Sequence, residues 1–538
     1  MSLVRLQNVS KRFDGSQVLR EIDLRLATGQ RIGLVGKNGA GKTTILRLIT
    51  GQENPTQGSV WVAEGTRIGY FSQFSDLDGQ ESVSELLDSL FVEVHAVESD
   101  LARIETSLGD ATLGPDALER LVRRQAALHD EMDRLGGWEY RVQIDTVLSR
   151  LGFSQRHREM PISQLSGGWR NRAALARIVL LAPEVLLLDE PTNYLDLAGL
   201  EWLEEWLLAF RGAVLLVTHD RDLLERVATE IVEVENYRLQ RYTGGFGDYV
   251  REKRRRVKSL QRQFVHEESL LAFEEAAVKD RREMRRNPNK AAARRLADIK
   301  RDVEPPAVDR VLTAIYERLH VPKDLLYVEG LAKGFDGRTL FRDVTLELHR
   351  GERLAILGPN GCGKTTFLKT LCERVEPDAG RVVWRKGAQW VDFAQVMADL
   401  DDDDSVGHAV NVVGLAYSAP RKQVNRFLEL FRFSERDLRR RIGALSGGQR
   451  ARVALAICLL SGANVILLDE PTNHLDLTST QVMERALAHF PGTVVVITHD
   501  RFFVDKIATR LLLFGQGDEV TLYGGTWTQW DTLQRQSR

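Results

Sequence analysis

Gly36-Lys37-Asn38-Gly39-Ala40-Gly41-Lys42-Thr43 recurs 322 residues later as Gly358-Pro359-Asn360-Gly361-Cys362-Gly363-Lys364-Thr365, and these two octets decide the fold. Each fits G-x-x-x-x-G-K-[ST], a loop whose backbone N–H groups cradle phosphates. Each follows an apolar run, Ile32 to Val35 or Leu354 to Leu357, and precedes a helical pattern, the strand–loop–helix context that the loop requires. One octet can arise by chance. Two in register point to duplicated α/β domains.

The register extends outward from both octets. Lys42 to Gln73 and Lys364 to Gln395 are each 31 residues; Ser166 to Asp189 and Ser446 to Asp469 are each 23; Glu190 to His219 and Glu470 to His499 are each 29. Only the interval from glutamine to serine differs, 93 residues in the first half against 51 in the second. The first half therefore carries an insertion of about 42 residues at one place, in a duplication too long-period for a solenoid.

Composition sets the bounds. A chain of 538 residues exceeds what one hydrophobic core serves, so two domains with additions are expected. An apolar run of membrane-spanning length is absent, and Met1-Ser2-Leu3-Val4-Arg5 lacks the apolar core of a leader, so the expected location is the cytoplasm. Cys362, Cys372 and Cys458, without C-x-x-C spacing, suit a reduced compartment and small packing roles rather than a metal cluster. The net charge of −2 hides an asymmetry: Arg251 to Asp302 holds 17 Lys and Arg against 9 Asp and Glu. The bland reading is a solvated helix, but Arg254-Arg255-Arg256, Arg281-Arg282 and Arg285-Arg286 are only partly compensated, which suits a nucleic-acid footprint.

The chemistry follows from residue types. Gly36, Asn38, Gly39, Gly41, Lys42, Thr43 and Thr44, with Gly358, Asn360, Gly361, Gly363, Lys364, Thr365 and Thr366, are the expected phosphate-binding set. The lysines reach the β- and γ-phosphates, and the hydroxyls of Thr43 and Thr365 hold Mg²⁺. Val185-Leu186-Leu187-Leu188-Asp189-Glu190 and Val465-Ile466-Leu467-Leu468-Asp469-Glu470 suit strands buried on both faces that deliver acids at their ends. The aspartates order the metal, and the glutamates polarise water as general bases. Any buried strand can end in an acid, but matched distances from two phosphate loops make the reading specific. Ser166-Gly167-Gly168 and Ser446-Gly447-Gly448 open helices as a turn and cap, or as a second anion site.

Taken together these motifs resemble the ATP-binding cassette family over both halves. The resemblance implies two P-loop cassettes in tandem, ATP hydrolysis and two composite sites, in which Ser446, Gly447, Gly448 and Gln449 complete the site of Lys42, and Ser166 that of Lys364. It implies that Gln73 and Gln395 join the Mg²⁺ site with Thr43, Asp189, Thr365 and Asp469, that Asp196 and Asp476 form D-loops, and that His219 and His499 are switch histidines acting with Glu190 and Glu470. Phe13 and Phe335 stand where the family places an aromatic against adenine; a core role is the alternative. Trp169 departs from the partner motif, which has Gln449; both sites are expected to work, with equal or unequal rates left open by the sequence.

The insertions narrow the family. Leu101, Ile104 and Leu108, then Leu118, Leu121, Leu128, Met132 and Leu135, predict two helices that form an arm over about 94–137, inside a first cassette of 1–247. An inert insertion is the alternative. A basic helical linker is expected over 248–320, broken at Asn287-Pro288-Asn289, before a second cassette of 321–538. Tandem cassettes with an arm, a basic linker and no membrane segment resemble the ABC-F proteins. That resemblance implies a cytoplasmic ATPase acting on the ribosome in translation, its linker toward rRNA and P-site tRNA and its arm toward ribosomal protein or rRNA, with no transmembrane partner. The alternatives are an antibiotic-resistance ribosome-protection factor, which the short loop Met284 to Lys290 disfavours, and a DNA-associated ATPase acting on branched or damaged DNA, whose relatives typically carry a C-terminal basic coiled coil that is not expected from these residues. The acidic run Asp399 to Asp404 is read as a solvated loop.

Overall fold

The computed structural model describes residues 2–537 apart from 14, 73–76, 78, 109–113, 194, 257, 260–315, 317–318, 336, 417–419, 432, 473–474, 476 and 516. Gln73, Asp476 and the linker arginines Arg281, Arg282, Arg285 and Arg286 lie outside the described residues.

Each repeat folds into two sheets. In the first repeat β1 (Ser2–Phe13), β2 (Ser16–Ala27) and β4 (Gln57–Val62) form an antiparallel sheet in the order β2-β1-β4. The other strands are β3 (Arg31–Gly36), β5 (Ile68–Phe71), β6 (Val185–Asp189), β7 (Ala213–Val217), β8 (Glu230–Glu235) and β9 (Arg238–Thr243). They form a six-stranded sheet in the order β5-β6-β7-β3-β8-β9. All residues of β6 and β7 are buried, which is why both read as unbroken apolar runs rather than as alternation.

The second repeat copies this plan. Its antiparallel sheet, β11-β10-β13, uses β10 (Asp324–Phe335), β11 (Arg338–His349) and β13 (Ala379–Trp384). Its larger sheet, β14-β15-β16-β12-β17-β18, uses β12 (Arg353–Leu357), β14 (Trp390–Asp392), β15 (Val465–Asp469), β16 (Thr493–Ile497), β17 (Arg510–Phe514) and β18 (Val520–Gly524).

Register then fixes the sites. Val217 pairs in parallel with both Leu34 and Asp189. Two residues beyond that level stand Gly36 and His219, and one residue beyond it Glu190. Ile497 pairs the same way with Ile356 and Asp469. Phosphate loop, acids and histidine therefore leave neighbouring strand ends of one sheet, the edge where open α/β sheets bind ligands.

The insertion of the first repeat holds two helices, Val92–Leu108 and Pro115–Leu135. Gly136 stops the second in a left-handed conformation, φ 64°. Leu101, Ile104, Leu128 and Met132 are buried, whereas Leu118 and Val122 are exposed. Among the described residues no helix is long and apolar enough to cross a membrane. All three cysteines are free and buried, as packing roles require. By contact density the chain divides into one unit of Met1–Leu34, Gly41–Thr218 and Asn236–Leu239 and another of Val35–Ala40, His219–Glu235 and Gln240–Arg538.

Candidate functional site

The glycines of the phosphate loops answer to sterics. Gly36 and Gly358 have φ of 153° and 152°, and a Cβ there would meet the backbone oxygens of Val234 at 2.9 Å and Phe514 at 2.6 Å. Gly41 and Gly363 precede their helices at φ of 103° and 106°. No side chain fits these positions without displacement, so only glycine lets the loops bend this tightly. The helices Lys42–Ile49 and Lys364–Leu371 follow at once, with both lysines buried. Lys364 donates to the carbonyls of Gly358 and Pro359 at 2.7 and 2.8 Å, which curls its ammonium back over the loop.

Hydroxyl and acid meet in both repeats. Thr43 Oγ1 donates to Asp189 Oδ2 at 2.8 Å, and Thr365 Oγ1 donates to Asp469 Oδ2 at 2.9 Å. A hydroxyl beside a carboxylate at the end of a phosphate loop is the oxygen donor set that a hard divalent cation accepts, so these residues fit Mg²⁺. Burial raises both aspartates above the usual carboxylate range, while the threonine hydrogen bonds and the charges of Lys42 and Lys364 oppose the rise.

The next residue in each strand is unusual in its backbone. Glu190 and Glu470 have φ of 53° and 44°, a left-handed conformation that non-glycine residues adopt at a cost. Each is held there by the neighbouring strand: Glu190 N–H donates to Val217 O at 2.8 Å and Glu470 N–H to Ile497 O at 2.9 Å. In the second repeat Glu470 Oε1 lies 3.4 Å from His499 Nε2, which is also 3.2 Å from Asn360 Oδ1. Burial pushes the Glu470 carboxyl up to about 8; Lys364 pulls it down and Asp469 raises it. Glu470, His499 and the loop residue Asn360 thus converge within one repeat.

The serine motifs differ between halves. Ser446 caps the helix Gly447–Leu460 in a reciprocal box with Gln449. Ser166 precedes the helix Gly167–Leu181 without a side-chain cap bond. Trp169 is occupied elsewhere: it stacks on His157 at 4.1 Å, meets the edge of Phe153 at 5.0 Å and lies under Arg172 at 4.7 Å. Asp196 accepts from Gly199 N–H at 3.1 Å and so caps its own helix, Leu197–Ala209. Gln395 is exposed, and its amide donates to both Asp399 oxygens at 2.6 Å; its side chain is engaged there rather than at Asp469.

Phe13 and Phe335, at the ends of β1 and β10, are 40% and 51% exposed, which removes the core alternative. Lys11 and Lys333 stand over the two rings at 4.7 and 5.1 Å. Sequence reasoning did not single out these lysines, although both sit two residues before the aromatic in matched positions.

Residues 19–193 and 341–473 match the family model described as ABC transporter. The chain is 32% identical over 523 residues to the energy-dependent translational throttle protein EttA of Mycobacterium tuberculosis, covering 96% of this chain and 91% of that protein. It is 32% identical over 528 residues to ABC transporter F family member 2 of Arabidopsis thaliana, covering 95% of this chain and 76% of that protein. Its fold is similar to the structure of the archaeal ribosome recycling factor aABCE1 with the stalk protein aP1, at a TM-score of 0.65 and 20% identity over 98% of this chain and 92% of that one. At that identity the likeness is one of fold.

Proposed function

The chain belongs to the ATP-binding cassette family, in its F branch, and on that premise we propose that it is an ATPase that binds the ribosome and regulates translation. The observation that carries the reading is the duplicated set of Lys, Thr–Asp and left-handed Glu, intact in both repeats. A relative similar over 96% of the chain is named a translational throttle, which favours the ribosome over other partners.

In this reading Lys42 and Lys364 grip the β- and γ-phosphates of ATP, and the loop N–H groups enclose them. Bound Mg²⁺ supplies charge neutralisation, held through Thr43 and Asp189 in one site and Thr365 and Asp469 in the other. Glu190 and Glu470 accept the proton of the attacking water; His219 and His499 orient the γ-phosphate. The exposed rings of Phe13 and Phe335 offer faces on which adenine stacks. Ser446 with Gly447, Gly448 and Gln449 completes the site of Lys42, and Ser166 that of Lys364, so ATP closes the cassettes and hydrolysis opens them. The linker, with its excess of basic residues, carries that change to rRNA and the P-site tRNA, while the helices Val92–Leu108 and Pro115–Leu135 meet ribosomal protein or rRNA.

Sedimentation tests the proposal. Protein carrying Glu190→Gln and Glu470→Gln, given ATP, should travel with ribosomes and leave them when ATP is withheld. Trapped protein that stays at the top of the gradient while it shifts branched DNA at the same salt would overturn the reading in favour of a DNA-acting ATPase.

A further inference from the structure

Arg221 follows the first switch histidine by two residues and is buried among acids. Its Nη1 donates to Glu484 Oε1 at 2.6 Å, across 263 residues of sequence, and the two side chains are 2% and 0% exposed. Lys506 Nζ reaches the other oxygen of Glu484 at 2.6 Å. The guanidinium also stands 5.0 Å from the Phe502 ring and acts on Asp500, the residue after His499. In return, Arg501 supplies the largest favourable charge felt by Asp222. All of these residues lie in one compact unit, because His219–Glu235 clusters with the second repeat. The segments after the two histidines therefore present arginines to each other's acids.

A stabilising ion pair is the plain reading of Arg221 and Glu484. Fully buried pairs, however, add little stability over apolar pairs of similar volume. Their positions say more. Asp220 accepts from Leu223 N–H at 2.9 Å and caps the helix that Arg221 begins, so a single residue, fixed as a helix cap, separates Arg221 from His219. Glu484 sits in the middle of the helix Leu477–His489, which starts one residue after the D-loop position 476.

We propose that Arg221 is a positioning residue that, through Glu484, couples the two ATPase sites by linking the His219 loop of one repeat to the post-D-loop helix of the other. The inference rests on the ATPase reading and not on the ribosome.

The test is additivity of hydrolysis, measured without ribosomes. Coupling energies of 1–3 kcal/mol correspond to about 5- to 150-fold, so the summed rates of Glu190→Gln and Glu470→Gln should fall at least about fivefold below the parent rate. In a background of Arg221→Met with Glu484→Leu, which removes both members of the ion pair together and whose folding is checked by melting, the same sum should come within about twofold of that background's own rate. Arg221→Lys, which keeps the charge, should preserve the deficit. Summed rates equal to the parent in the native background, or an equal deficit in both backgrounds, would overturn the coupling. Absence of hydrolysis by the native protein would instead defeat the ATPase reading beneath it.

Discussion

Replacing Glu470 with Gln should lower hydrolysis at its own site and add stability, and the second effect follows from the site's electrostatics. The carboxyl sits at about 8 against an ordinary 4.5, chiefly through burial. A folded-state pKa above the unfolded one means the neutral acid's contribution is complete below the unfolded value and is lost as pH rises through the folded one. Each unit is about 1.36 kcal/mol, so between about pH 5.5 and pH 7.5 the native chain loses up to about 3 kcal/mol that the glutamine variant keeps. The side chain is 24% exposed, and solvent screening reduces the figure to about 1–2 kcal/mol. Asp500, raised to about 7, titrates in the same window but does so in both proteins and cancels to first order. Urea denaturation of nucleotide-free protein across this range should show the variant's advantage growing toward alkaline pH. A flat difference, or one largest at the acid end, would refute the reasoning.

Other outcomes follow from the same structure. Protein with both Glu190→Gln and Glu470→Gln should bind ATP normally and lose at least about 100-fold in phosphate release, the range expected of a general base. The single variants should retain unequal rates if the Trp169 motif, with its uncapped Ser166, makes its site different; equal residual rates would argue against that. Trp169→Ala should cost about 1–3 kcal/mol in thermal unfolding through loss of the His157 stack and the Arg172 cation–π contact, since each is worth about a kcal/mol. Replacing Arg281, Arg282, Arg285 and Arg286 with Gln should lower the log–log salt slope of ribosome binding by about three to four while ATP affinity, measured by nucleotide titration, is retained.

Much of this architecture was legible because the chain says the same thing twice. Matched spacings mark Lys42, Asp189, Glu190 and His219 as one recurring set, and the pairing of Val217 with Leu34 and Asp189 shows why: it brings their strand ends to one sheet edge. The left-handed backbone of Glu190 and Glu470 had no sequence signal, since glutamate is not a residue that advertises positive φ. Trp169 departs from the partner motif in sequence, yet its partner His157 lies 12 residues upstream in a stretch with no motif of its own. Gln395 bonds to Asp399 four residues on, a helix-spaced contact that competes with the motif role read from register. Arg221 and Glu484, joined across 263 residues, belong to no shared motif; only packing brings them together. The apolar spacing of the insertion placed two helices, but not that Leu118 and Val122 would face solvent.

The central claim is that this protein spends ATP on the ribosome, and phosphate release with added ribosomes tests it most directly. Ribosomes should accelerate release saturably, and the acceleration should disappear when both Glu190 and Glu470 are replaced with Gln and weaken as salt rises. Release that ribosomes leave unchanged, but that branched DNA accelerates under the same conditions, would contradict it.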